Sequence, residues 1–278
     1  MLPIISPKQL KELSTKSLII LDVRTGTDNY QNYLNKHIKG ARFVDLDQDL
    51  ADVGENAAYG GRHPLPEIQK FSKTVARLGI SADSHVIIYD DKNGANAAAR
   101  AWWMLRSFGL KNIQVLDGGI QAAEKEGLEF SSGEETFEKS EIITKEHWLL
   151  PVSSLEDVEN ELTSESATVI DVRDAYRYKG ESEPIDLIAG HIPGAINIPF
   201  SENLDQNGSF LKPEILREKY KDLLKNKPEK LIVHCGSGVT ACHTILALEY
   251  AGFQMSNLYI GSWSEWSRRQ GKEIARED

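Results

Sequence analysis

A chain of 278 residues that is 40% hydrophobic and 27% charged has the composition of a folded, water-soluble protein, and is long enough for one large domain or two smaller ones. Its formal net charge of −10 argues against a nucleic-acid-binding surface. The two cysteines, Cys235 and Cys242, are too few and too close for a disulfide framework, and no second Cys or His pair joins them at the spacing of a zinc site.

The opening residues, MLPIISPKQLKEL, lack a basic stretch followed by an apolar one, and no apolar run reaches membrane-spanning length. The expectation is a protein of the reducing cytoplasm with no membrane partner. Apolar strands are expected at about 18–23 and 86–90, followed by a helix from Ala95 to Phe108 and a strand at 113–116. The polar, aperiodic run Glu129–Thr136 reads as a linker.

Beyond it the chain repeats itself. Leu18–Arg24 (LIILDVR) matches Ala167–Arg173 (ATVIDVR), and His37–Ala41 (HIKGA) matches His191–Ala195 (HIPGA). Val86–Asp90 matches Leu231–Cys235, and Val115–Gly119 matches Leu258–Ser262. Four matches in one order mean two copies of one domain-sized unit. Strands alternating with amphipathic helices imply, in each copy, a parallel sheet with helices on both faces. The boundaries that follow are 1–128 for the first domain, 129–144 for the linker and 145–278 for the second. The pairs Trp102, Trp103 and Trp263, Trp266 are read as core packing.

The chemistry points to Leu231–Ala241, LIVHCGSGVTA. A buried strand runs into Cys235-Gly236-Ser237-Gly238-Val239-Thr240, and a helical pattern follows with Val239, Cys242, Ile245 and Leu246 on one face. This is where an open α/β sheet places its ligand. The glycines allow a tight curl, the curl and the helix start turn N–H groups inward, and an anion such as a thiolate is favoured there. From the local pattern alone, a buried structural cysteine remains the alternative.

The Asp-Val-Arg strand ends, the His-Ile-x-Gly-Ala segments, the cysteine loop and the closing Gly-Ser-Trp-Ser-Glu-Trp together resemble the rhodanese superfamily, in the tandem form of the two-domain sulfurtransferases. The resemblance spans nearly the whole chain. It implies an α/β protein of two rhodanese-like domains with a catalytically silent N-terminal copy, and Asp90, which cannot carry a transferable sulfur, stands where the second copy has Cys235. The six-residue loop, free of charged side chains, resembles that of 3-mercaptopyruvate sulfurtransferases; thiosulfate-preferring members carry Arg or Lys there.

By the same resemblance, Cys235 is the sulfur carrier, and Ser237 works with His63 (in Gly61-Arg62-His63-Pro64) and Asp47, with Asp45 as the alternative carboxylate. Without the resemblance His63 reads as an ordinary loop histidine. The resemblance also makes Arg177 the anchor for the donor's anionic end, a role that suits a guanidinium, and makes Gly236, Gly238, Val239 and Thr240 the rest of the binding loop, in a cleft between the domains. One departure stands out: a second family arginine, in a Glu-Pro-Arg stretch, is replaced here by Glu183-Pro184-Ile185, and Arg62 or an arginine elsewhere is the candidate substitute.

The implied reaction is transfer of a sulfane sulfur from a small-molecule donor, through a Cys235 persulfide, to a thiol such as thioredoxin or to cyanide. It requires no cofactor and no metal. Three alternatives are carried. Thiosulfate as the donor keeps the same mechanism. A cysteine phosphatase is suggested by His234-Cys235, but lacks its arginine because Ala241 occupies the position. A non-catalytic sulfur-binding or interaction module is argued against by the intact cysteine loop. Arg24, Arg173, His37 and His191 occur in both copies and are read as structural. Cys242, on the apolar helix face, is read as a buried inert thiol.

Overall fold

The computed structural model describes residues 1–13, 17–164, 167–225 and 230–277. They form two compact units: Met1–Asp52 with Pro66–Leu149 and Asn207–Ser209, and Val53–Leu65 with Leu150–Gln206 and Phe210–Asp278. The segment Val53–Leu65, which precedes the second repeat in sequence, thus belongs to the second unit.

The sheet of the first unit holds, in spatial order, Ile4–Ile5, Ile113–Leu116, His85–Tyr89, Leu18–Arg24 and Ala41–Asp45, all parallel. The second unit repeats the order with Val152–Ser153, Asn257–Tyr259, Lys230–His234, Ala167–Asp171 and Ile196–Asn197, again parallel. Parallel neighbours need crossovers, and helices such as Ala97–Ser107 and Thr240–Tyr250 supply them. Because helices cover such a sheet, its middle strands are continuously apolar: Val86, Ile87, Ile88, Ile232 and Val233 are wholly buried. Trp102, Trp103 and Trp263 are equally buried, in cores where they offer large areas to neighbouring strands.

The repeated polar residues do repeated work. Arg24 meets Asp22 at 2.6 Å, and Arg173 meets Asp171 at 2.6 Å. His37 stacks on Tyr33 and its Nδ1 lies 2.8 Å from the Tyr33 carbonyl; His191 stacks on Tyr178 with the same 2.8 Å contact. These pairs fasten a strand end and a loop in each unit.

The stretch read as a linker is tied to the first unit. Phe130–Ser131 pairs antiparallel with His37–Ile38, the Glu135 carboxylate accepts from the Gly40 N–H at 2.9 Å, and the Ser140 N–H donates to the Ala76 carbonyl at 3.0 Å. Among the described residues no helix is long and apolar enough to cross a membrane.

Candidate active site

In both units the middle strand ends where a loop turns into the next helix. In the first unit that position is Asp90, and its loop shows what this turn does to a negative charge. The buried carboxylate accepts four backbone N–H groups, from Lys92 (2.8 Å), Gly94 (2.7 Å), Asn96 (3.0 Å) and Ala98 (3.1 Å). Burial pushes its pKa up, against the pull of those four bonds. The loop is an anion nest filled by the chain's own side chain.

In the second unit the strand Lys230–His234 delivers Cys235, which is 2% exposed. Gly238 takes φ +73°, in the left-handed region, and so lets the loop curl into the helix Thr240–Tyr250. Val239 stands at the N-cap with no side-chain hydrogen bond, since valine has no oxygen to give. Gly236, Ser237, Gly238 and Val239 are buried and Thr240 is half-buried. Cys242, wholly buried, donates its thiol hydrogen to the Gly238 carbonyl at 3.3 Å.

The loop's outer wall is the turn Gly261–Trp266. The Cys235 N–H donates to Ser262 Oγ at 3.2 Å, and the Trp263 and Ser264 N–H groups donate to the carbonyls of Cys235 (3.0 Å) and Gly236 (2.8 Å). Ser262 does this at φ +52°, a region that its counterpart in the first unit, Gly119, occupies at φ +57° without a side chain.

The same turn holds the segment Val53–Leu65. Glu265 accepts from the Gly60 N–H at 2.9 Å, and Ser264 Oγ accepts from the Arg62 N–H at 3.1 Å. Gly61 sits between them at φ +79°, where a Cβ would lie 2.4 Å from the Gly261 carbonyl oxygen, so only glycine fits. Held this way, His63 brings Nδ1 to 2.7 Å from Ser237 Oγ. His63 and Ser237 are therefore in contact within the second unit. Asp47 lies in the first unit, exposed, and its N–H donates to Asp45 Oδ1 at 2.8 Å. Asp45 caps the helix Leu46–Asp49 and accepts from the Gln48 N–H as well.

Arg177 approaches from the helix Ala175–Lys179. Its Nη2 bonds Glu183 at 2.7 Å and Asp186 at 3.4 Å, and its Nε bonds Glu183 at 3.1 Å. Burial opposes the charge of Arg177, but the bonds from Glu183 and the nearby carboxylates more than offset it and raise its pKa. Glu183 is likewise drawn down: burial resists, while Arg177 and the N–H groups of Asp186 and Ile185 outweigh it.

Sequence reasoning did not single out the residue at the centre of this group. Asp186, its side chain wholly buried, accepts from Arg62 Nε (3.1 Å), Arg268 Nη1 (2.9 Å) and Arg177 Nη2. A Cβ added to Gly236 would stand 3.1 Å from Arg62 Nη2 and 3.5 Å from Arg177 Nη2, so two guanidiniums close on the backbone next to Cys235. Ile185, where the family's second arginine was sought, is 55% exposed. A single buried Asp in an apolar-flanked loop (Ile185-Asp186-Leu187) was the only sequence signal for this cluster.

A family model described as Rhodanese-like domain matches residues 6–126 and again 154–269. A Pseudomonas aeruginosa protein named "Probable 3-mercaptopyruvate sulfurtransferase" is 38% identical over 273 residues, covering 96% of this chain and 95% of its own. The thiosulfate sulfurtransferase of Gallus gallus is 35% identical over 246 residues, covering 87% of this chain and 82% of its own. Among solved structures, 3-mercaptopyruvate sulfurtransferase from Leishmania major superposes with a TM-score of 0.82 at 29% identity, covering 95% of this chain and 74% of its own. With both halves matched by one family model, the same strand order in each unit and a cysteine loop in only the second, the chain belongs to the rhodanese family.

Proposed function

We propose that this protein is a sulfurtransferase that takes the sulfur of 3-mercaptopyruvate onto Cys235 and passes it to a thiol or to cyanide. The observation that carries the reading is the 2.7 Å contact of His63 with Ser237, inside the loop that begins at Cys235. The relatives' names supply the donor class, in which both 3-mercaptopyruvate and thiosulfate occur.

The Cys235 thiolate attacks the donor sulfur, the C–S bond breaks, and its electron pair leaves with the carbon as the enolate of pyruvate. A proton delivered through Ser237 Oγ from the His63 imidazole converts the enolate to pyruvate. Cys235 is left as a persulfide. The internal repeat supports its stabilisation: the equivalent loop of the first unit gathers four N–H groups on the Asp90 carboxylate. In the second unit Val239 at the N-cap offers no side-chain oxygen, and Cys235 stands at the strand end that Asp90 occupies in the first, where its outer sulfur takes the carboxylate's role. An acceptor thiolate then attacks the outer sulfur and Cys235 leaves as thiolate. Arg177 holds the donor's carboxylate. Thioredoxin is the kind of thiol carrier that suits the second step, and the cytoplasm is the compartment that keeps Cys235 reduced. Asp47→Asn tests the orienting role the family resemblance assigns to Asp47.

Side-by-side kcat/KM for 3-mercaptopyruvate and thiosulfate, with one acceptor, tests the reading. Double-displacement kinetics, abolished by Cys235→Ser, with mercaptopyruvate preferred, is the expected result. Preference for thiosulfate would keep the persulfide and replace the donor. Activity with neither would overturn the proposal.

A further inference from the structure

We propose that Asp186 is a specificity-determining residue that sets how much negative charge the site accepts, tuning it for a singly charged carboxylate over a doubly charged donor. The inference rests on the reading of the loop as a sulfur-transfer site. Three guanidiniums, Arg62, Arg177 and Arg268, meet on the buried Asp186 carboxylate, and Arg177 also meets Glu183. Arg173, paired with Asp171 at 2.6 Å, also meets Glu183 at 3.2 Å and so joins the cluster. Four guanidiniums, Arg62, Arg177, Arg268 and Arg173, against three carboxylates, Asp186, Glu183 and Asp171, leave one positive charge in excess beside Gly236 and the Cys235 thiolate.

Beside the Cys235 thiolate, one excess charge leaves little to offset a second negative charge on the donor, so a monoanion fits better than a dianion. The cluster also explains how the site manages without an arginine at Ile185. Arg62, reaching in from Val53–Leu65, puts its Nη2 near the backbone of Gly236, while its Nε is held by Asp186. Asp186 therefore does two things: it holds both Arg62 and Arg177 beside Gly236, and it cancels one of the charges it gathers. Nearly all of this lies out of water, with the Arg177, Arg268 and Arg62 side chains only 9%, 17% and 27% exposed. A unit charge there acts on a dianion with twice the energy it exerts on a monoanion at the same position.

The test is a charge series with the donor ratio as readout. In Asp186→Asn the excess rises by one, and kcat/KM for thiosulfate relative to 3-mercaptopyruvate rises, on the order of tenfold. In Arg268→Gln the excess disappears and the ratio falls, while Arg268→Lys restores it. The double variant Asp186→Asn with Arg268→Gln brings the count back to one, and the ratio returns toward that of the unmodified protein. A merely structural Asp186 would slow both donors equally and leave the ratio unmoved, and the double variant would then be worse than either single; that pattern overturns the proposal. If Asp186→Asn does not fold, the Arg268→Gln and Arg268→Lys pair decides alone. Calorimetric titration of pyruvate and sulfate into the Cys235→Ser protein, with and without Asp186→Asn, repeats the comparison without turnover. Inactivity of the unmodified protein with both donors would defeat the sulfurtransferase reading. A pyruvate-to-sulfate ratio unchanged by Asp186→Asn would defeat this one.

Discussion

Ser262 offers a separation of stability from activity that follows from the two copies. Its hydroxyl donates to the Tyr259 carbonyl at 2.8 Å and accepts from the Cys235 N–H at 3.2 Å, in a wholly buried position at φ +52°. Ser262→Ala removes both bonds and keeps the left-handed backbone. Two buried hydrogen bonds at about 1 kcal/mol each, with a buried N–H and carbonyl left short of partners, put the loss at about 2–4 kcal/mol. Ser262→Gly removes the same bonds but relieves the left-handed penalty of about 1–2 kcal/mol, part of which is returned by glycine's greater freedom when unfolded. Glycine is therefore expected to melt a few degrees above alanine, at about 3 °C per kcal/mol. Activity should not follow that order. Both variants lose the hydroxyl that fixes the Cys235 backbone, so both should lose kcat by about tenfold or more, an effect of the size expected from small misplacements of a reacting group. Thermal unfolding and single-turnover persulfide formation, measured on the two variants side by side, check this. Full activity in Ser262→Gly would refute the reasoning, because the strained serine would then have no part in holding the cysteine.

His243, buried on the helix Thr240–Tyr250 between Phe200 and Phe210, has its pKa pushed down to about 3 by burial, with Lys219 adding to the effect. Above pH 6.5 both folded and unfolded forms are neutral there and nothing is lost. Below it the unfolded chain binds a proton that the folded one refuses, so stability falls by about 1.4 kcal/mol per pH unit down toward pH 3. His243→Phe should flatten that slope in denaturant titrations at pH 7 and pH 5; equal slopes for the two proteins would count against a neutral buried imidazole. Asp90→Ala strips the acceptor from four buried N–H groups and should destabilise the first unit by several kcal/mol, about 1–3 per group left unsatisfied, while sulfur transfer below the melting range persists. Loss of turnover in a protein that stays folded would show that Asp90 is more than a filled nest. Gly61→Ala, with its Cβ 2.4 Å from the Gly261 oxygen, should displace Arg62 and His63 together, raising KM and lowering kcat at once; a change in neither would mean the segment tolerates a shift.

Much of the fold was legible because its signals are local. The alternation of apolar runs with 3.6-residue periodicity, the twice-written Asp-Val-Arg, and a cysteine following a buried strand are properties of short stretches, and backbone sterics and burial turn them into strands, turns and helices with little help from elsewhere. The His63–Ser237 contact was reachable only through family resemblance, since 174 residues separate the two. Arg62 and Ser262 lie inside recognisable motifs that do not show what their side chains meet, and Asp186 and Arg268 carry little local signature. A charged residue in a loop looks the same whether it faces water or a buried carboxylate.

The sequence by itself determined that two equivalent α/β units would form and that only one could carry a sulfur, because an aspartate and a cysteine at the same strand end differ in chemistry, whatever surrounds them. Tertiary structure alone decided that Val53–Leu65 packs with the second unit and that three arginines share Asp186. Those outcomes depend on hydrogen bonds and ion pairs between segments far apart in the chain, and their partners are chosen only when the packed strands and turns bring them within reach.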